Sequence, residues 1–83
     1  MTSPADEAPE AVVEIFRKLF PHYAGPVLRG LTAQQVPGWD SLSHAELIMS
    51  IEEVHGVLID PASAFDYPDL GALLDDIERL ANR

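Results

Sequence analysis

The chain has 83 residues and carries 5 Lys and Arg against 14 Asp and Glu, a formal charge of -9 at pH 7. That length holds one domain with a modest core, and the absence of cysteine excludes a disulfide framework and a thiolate metal site. The acid excess argues against nucleic acid or an anionic membrane, which demand basic surfaces, and favours a basic protein partner.

Residues 1–8 read as a flexible, acidic tail. A secretory signal would place a basic segment before an apolar one. No apolar run approaches the ~18 residues of a membrane span. The predicted location is therefore cytoplasmic, and residues 9–83 form the single predicted domain.

The first helix is predicted from Pro9 to Phe20. Val12, Ile15, Phe16, Leu19 and Phe20 recur at three- and four-residue steps and share one face. Pro9 suits the first turn, Arg17 and Lys18 complement the helix dipole, and Pro21 stops the helix. Residues 21–40 read as a long loop, punctuated by Pro and Gly and pinned by Val27, Leu28, Leu31 and Val36. A loop this long in so small a domain is usually functional or packed as a lid.

The second helix is predicted from Ser41 to His55, with Gly56 as its C-terminal cap. Its main apolar stripe is Leu47, Ile48, Ile51, Val54 and His55. Leu42, Ala45 and Met49 form a smaller set beside Glu46, Glu52 and Glu53. Asp60-Pro61 predicts a short third helix, ended by Tyr67-Pro68. Asp69 then caps a last helix with the stripe Leu70, Leu73, Leu74, Ile77, Leu80 and Ala81. The predicted fold is all-α: a small four-helix bundle of three longer helices and one short one.

The charge is unevenly spread. Residues 30–78 contain ten acids and no Lys or Arg, whereas the rest of the chain has five bases and four acids. Acid runs commonly serve solubility, but one this long without a compensating base points to a recognition surface.

Few catalytic devices fit. No His-Glu-x-x-His pattern or EF-hand spacing occurs. His44 and His55 are eleven residues apart on one helix, about 16 Å along its axis, too far to share a metal. Ser41 and His44 lie at i and i+3, with Asp40 adjacent. An Asp at a helix start does not orient an imidazole as a buried triad member does, and no Gly-x-Ser-x-Gly elbow is present. Asp40 and Ser41 are both residue types that cap helices, and an isolated Asp-Ser is ordinarily only a cap. A hydroxyl at this loop–helix corner is nevertheless easy to reach, and the helix N-terminus favours an anionic group there.

Gly38-Trp39-Asp40-Ser41-Leu42, followed by an amphipathic helix ending Ile51-Glu52-Glu53-Val54-His55-Gly56 and then Val57-Leu58-Ile59-Asp60-Pro61, resembles the acyl carrier and peptidyl carrier protein family. The resemblance spans nearly the whole chain. It implies 4'-phosphopantetheine, taken from coenzyme A, on Ser41. The arm's thiol would hold an acyl or aminoacyl group as a thioester, which accounts for a chain without cysteine and without catalysis of its own. The resemblance also places partner contacts along the second helix: acidic ones at Asp40, Glu46, Glu52 and Glu53, apolar ones at Leu42, Ala45 and Met49.

The implied partners are a phosphopantetheinyl transferase, a loading enzyme, and an acyltransferase or synthase with basic docking surfaces. His55 stands where the family usually has an aromatic such as Phe. Trp39 is bulkier than the small residue of primary fatty acid carriers, which points to a specialised pathway. The chain opens on Met1 with no fused linker, as expected of a free-standing, monomeric acyl carrier in bacterial polyketide biosynthesis. The alternatives are an aminoacyl or peptidyl carrier of a nonribosomal peptide pathway, or an unmodified helical interaction module with Ser41 as a cap only.

Overall fold

A computed structural model of the chain describes residues 6–82. Three α-helices carry the fold: α1 (Glu10–Leu19), α2 (Ser41–His55) and α3 (Leu70–Ala81), with a 3-10 turn at Ala33–Gln35 inside the long loop. α2 packs against both α1 and α3. Among the described residues the only β-type pairing is an isolated bridge between Glu7 and Leu28.

α1 buries Val12 and Phe16, and Phe20 is buried just past its end. Pro9 sits one position earlier than predicted. It is the N-cap, with ψ of 150°, and its carbonyl accepts from Val13 N–H at 3.0 Å. Residues 6–8, assigned to the tail by sequence, run beside 27–29: Ala8 N–H donates to Val27 O at 2.9 Å, Arg29 N–H to Asp6 O at 2.8 Å, and Ala8 is buried. Residues 1–5 of the predicted tail lie outside the described residues.

The long loop is pinned as expected by Val27, Leu31 and Val36, all buried. Its backbone has a further role. The first N–H groups of an α-helix have no partner within the helix. In α3, Leu70 N–H donates to Leu31 O, Gly71 N–H to Arg29 O, and Ala72 N–H to the Asp69 carboxylate. The loop thus completes the cap of α3. The approach is so close that a Cβ on Gly71 would lie 2.9 Å from Arg29 O. Arg29 also reaches over α3 with its guanidinium, bonding Gly71 O and pairing with Asp75.

The predicted short third helix does not form. Residues 61–65 make successive turns, with Ser63 N–H on Asp60 O, Ala64 N–H on Pro61 O and Asp66 N–H on Ser63 O. Asp60 does act as a cap, accepting from Ala62 N–H at 3.0 Å. Too few residues separate Pro61 from Pro68 to offset the cost of nucleating an α-helix, so the segment stops at three-residue turns.

α2 opens on a reciprocal cap. Asp40 Oδ1 accepts from Ser43 N–H at 3.0 Å, and Ser43 Oγ accepts from Asp40 N–H at 2.9 Å. The bond from Ser43 N–H holds the Asp40 carboxyl below its ordinary value of 3.8. At the other end Gly56 adopts φ of +66°, a left-handed conformation that costs other residues more. The buried stripe of α2 is Leu47, Ile48 and Ile51. Val54, expected to continue it, is 56% exposed. At about 100° per residue the stripe is centred nearer His44 and His55 than Val54, and both histidines are half-buried. In α3, Leu70, Leu73, Leu74 and Ile77 are buried as expected, Leu80 is half-buried, and Ala81 is exposed at the frayed end.

Ile51→Ala should cost about 2–5 kcal/mol in chemical denaturation, because it empties the centre of the core. Gly56→Ala should cost about 1 kcal/mol, the strain of an L-residue in the left-handed region. The lowered folded value of Asp40 means that its contribution is present above the ordinary carboxylate value and is lost as pH falls through the lower folded one. Asp40→Asn should keep the cap at neutral pH and flatten the acid dependence of stability between about pH 5 and 2.

Candidate functional site

The site is the corner where the long loop enters α2. Trp39 ends the loop with its indole half-buried. The ring lies edge-on to Phe16 with centroids 5.5 Å apart and tilted on Phe20 at 5.6 Å. Beyond the ring the chain turns through Asp40 into the helix, and the first helical residue is Ser41.

The two serines of this turn divide the work. Ser43 takes every side-chain capping bond: besides its exchange with Asp40, its hydroxyl donates to Gly38 O at 2.7 Å. Ser41 is exposed, and among the described residues its hydroxyl has no hydrogen-bond partner. Ser41 is therefore not the cap that its residue type suggested. It is a free nucleophilic oxygen at the positive end of a 15-residue helix.

His44 is not its base. Trp39 Nε1–H donates to His44 Nδ1 at 3.0 Å, and His44 Nε2 lies 2.7 Å from Ala64 O. A carbonyl only accepts, so Nε2 carries the ring proton and both nitrogens are committed. His55 is likewise engaged, through Nδ1 to Ile51 O at 3.0 Å. Among the described residues no three His, Asp or Glu side chains converge as metal ligands.

Beside Ser41 lies an open groove of about 430 Å³, bordered by Thr32, Trp39, His44, Phe65, Tyr67 and Asp69. Burial pushes the Tyr67 hydroxyl above its ordinary value of 10.0, and it donates to Asp76 Oδ2 at 2.6 Å. An exposed, unbonded hydroxyl with an adjoining groove fits a covalently attached phosphodiester arm. The neighbouring Asp40 carboxylate is turned into its own cap rather than toward Ser41 as a proton acceptor.

The expected contact residues of α2 separate into two groups. Leu42, Glu46, Met49 and Glu53 are exposed and fall within one narrow strip at about 100° per residue, with Leu42 at 72% and Met49 at 59%. Ala45 and Glu52 lie to the side and are half-buried, and Glu52 Oε2 accepts from Ile59 N–H at 2.6 Å. Three further apolar side chains are exposed: Val54, expected in the core stripe, Leu58 at 83% and Phe65 at 60%. Leu58 and Phe65 sit in segments without helical periodicity, so spacing gave no signal for them.

Six of the ten acids between residues 30 and 78 are already engaged: Asp40, Glu52, Asp60 and Asp69 on backbone N–H groups, Asp75 with Arg29, and Asp76 with Tyr67 and Arg79. Glu46, Glu53, Asp66 and Glu78 have no side-chain partner among the described residues. Two of those four stand on the exposed strip of α2. Among the described residues no helix is long and apolar enough to cross a membrane.

Residues 38–77 match the family described as phosphopantetheine attachment site. The matched segment contains the Ser41 corner, the whole of α2 and much of α3. Among solved structures, the chain is similar to the holo acyl carrier protein of Geobacter metallireducens determined by solution NMR. That similarity has a TM-score of 0.76 and 28% identity over 89% of this chain and 85% of the other. No curated protein sequence matches the chain. The shared helical architecture and the matched attachment segment together support the carrier protein family and its 4'-phosphopantetheine prosthetic group.

Proposed function

We propose that Ser41 bears the phosphopantetheine arm and that the protein presents an acyl thioester to partner enzymes in bacterial polyketide biosynthesis, in the cytoplasm and without catalysis of its own. The observation that carries this reading is the division between the two serines: Ser43 is bound into the cap, and Ser41 is exposed with its hydroxyl unbonded. When attached, the group supplies a terminal thiol, which a chain without cysteine lacks.

Ser41 Oγ would bond to the pantetheine-side phosphorus of coenzyme A as the pyrophosphate P–O bond to the leaving adenosine 3',5'-bisphosphate breaks, and the hydroxyl proton would pass to a base on the transferase, since the nitrogens of His44 are occupied. The N-terminal end of α2 stabilises the resulting anion. The Asp40–Ser43 exchange holds the corner in one geometry. Tethering raises the effective concentration of cargo at each partner. The bulk of Trp39 supports a specialised pathway over primary fatty acid synthesis.

Docking follows the exposed strip of α2. Leu42 and Met49 supply apolar anchors, while Asp40, Glu46 and Glu53 supply charge, with Ala45 and Glu52 at the flank. Partners with basic surfaces would meet it quickly and leave quickly, the charges setting encounter rate and the anchors setting register.

Incubation with coenzyme A and a broad-specificity phosphopantetheinyl transferase should raise the intact mass by one phosphopantetheine. Ser41→Ala should abolish the gain and Ser43→Ala should not. A gain that survives Ser41→Ala would overturn the assignment. Glu46→Lys with Glu53→Lys should slow the transferase reaction and reduce its dependence on salt while leaving the circular dichroism spectrum unchanged. Unaltered rates across a salt series would exclude the strip as a docking surface.

A further inference from the structure

His44 is held on both sides by hydrogen bonds of opposite sense. It accepts from Trp39 Nε1–H through Nδ1 and donates to Ala64 O through Nε2. Its ring lies nearly parallel to the indole, with centroids 6.0 Å apart and planes 22° apart, and Phe65 lies against it at 5.2 Å. One imidazole therefore ties the end of the long loop to the turns at 61–65 across the first turns of α2. Only the neutral Nε2–H form can do this. Adding a proton at Nδ1 turns the acceptor into a donor facing the indole N–H, and that bond is lost.

The groove beside His44 is lined from several elements. From the start of α2 the groove receives Asp40, from the 61–68 segment Tyr67, and from the cap of α3 Asp69. The loop contributes Thr32, Ala33, Gln34 and Trp39, none of which titrates, and α1 meets this region through the rings of Phe16 and Phe20 on Trp39. Among the described residues no cation borders the groove. Trp39 and Ala64 hold the neutral ring.

We propose that His44 is a proton-sensitive latch that holds Trp39 as the wall of the groove beside Ser41, and that an anion on Ser41 biases the latch toward release. Neutral His44 keeps the indole against Phe16 and Phe20. Protonated His44 keeps its bond to Ala64 O and lets the indole go. Ser41 and His44 lie at i and i+3, neighbours on the helix surface. A phosphodiester on Ser41 therefore favours the imidazolium. This second half rests on the assignment of the arm to Ser41; the latch itself does not.

Trp39 is the only tryptophan, so it reports directly. In the unmodified protein, its emission and its indole N–H resonance should both shift in a single proton step as pH falls from about 8 to 5. The step should coincide with the titration of the His44 ring signals followed by NMR, and solvent exchange of the indole proton should speed up with it. His44→Gln offers an acceptor and a donor that do not titrate. It should keep the neutral-pH emission and abolish the step, whereas His22→Gln and His55→Gln should retain it. In protein whose mass shows the arm attached, the midpoint should move to higher pH.

Trp39 signals that stay constant while His44 titrates would overturn the latch, and that measurement needs no variant. An unmoved midpoint in the modified protein would overturn the coupling to Ser41. A mass that does not rise on treatment would instead defeat the assignment of the arm, leaving the titration of unmodified protein to decide the latch.

Discussion

The fold depends on a backbone contact between the long loop and the start of α3. Leu31 and Arg29 present their carbonyls to the first two N–H groups of that helix, and only a glycine at 71 lets the backbones come so close. Donors that would otherwise be orphaned at a buried helix start are satisfied by a segment with no regular structure of its own. The same contact anchors the middle of a twenty-residue connection (21–40). From there Val36 and Trp39 reach back to the core, and the loop delivers the chain to the start of α2 in one position.

α2 is a helix with two loyalties. Leu47, Ile48 and Ile51 face inward, and the strip of Leu42, Glu46, Met49 and Glu53 faces solvent. The first turn shows how a short polar sequence is apportioned. Asp40 and Ser43 satisfy each other and the backbone, which leaves the intervening Ser41 with a hydroxyl and no structural duty. A group that must react on the surface of a small protein is best relieved of any role in holding it together.

The net charge of -9 has two origins. Six acids in the central stretch cap turns and helices or pair with Arg29, Tyr67 and Arg79. These would be present in a carrier with any partner. Glu46 and Glu53 on α2, with Asp66 and Glu78, have no side-chain partner among the described residues, so their charge is not spent on the fold. A sequence count cannot separate these classes, because both read as Asp or Glu without a neighbouring base.

Local rules made much of this legible from residues alone. Periodic apolar spacing located all three helices. Asp69 and Gly56 marked their ends, and the Gly38–Leu42 motif within its helical context identified the family. These features depend on near neighbours in the chain, which is why sequence determines them. The expected short third helix does not form because a capping residue alone cannot offset the cost of nucleation between two prolines. What the tertiary structure alone decided required groups distant in sequence to meet: Arg29 with Gly71 and Asp75, Trp39 with Phe16, and His44 with Ala64. Such meetings leave His44 bound on both sides and Ser41 unbonded, since the partners that occupy His44 come from two loops that helical spacing does not bring together.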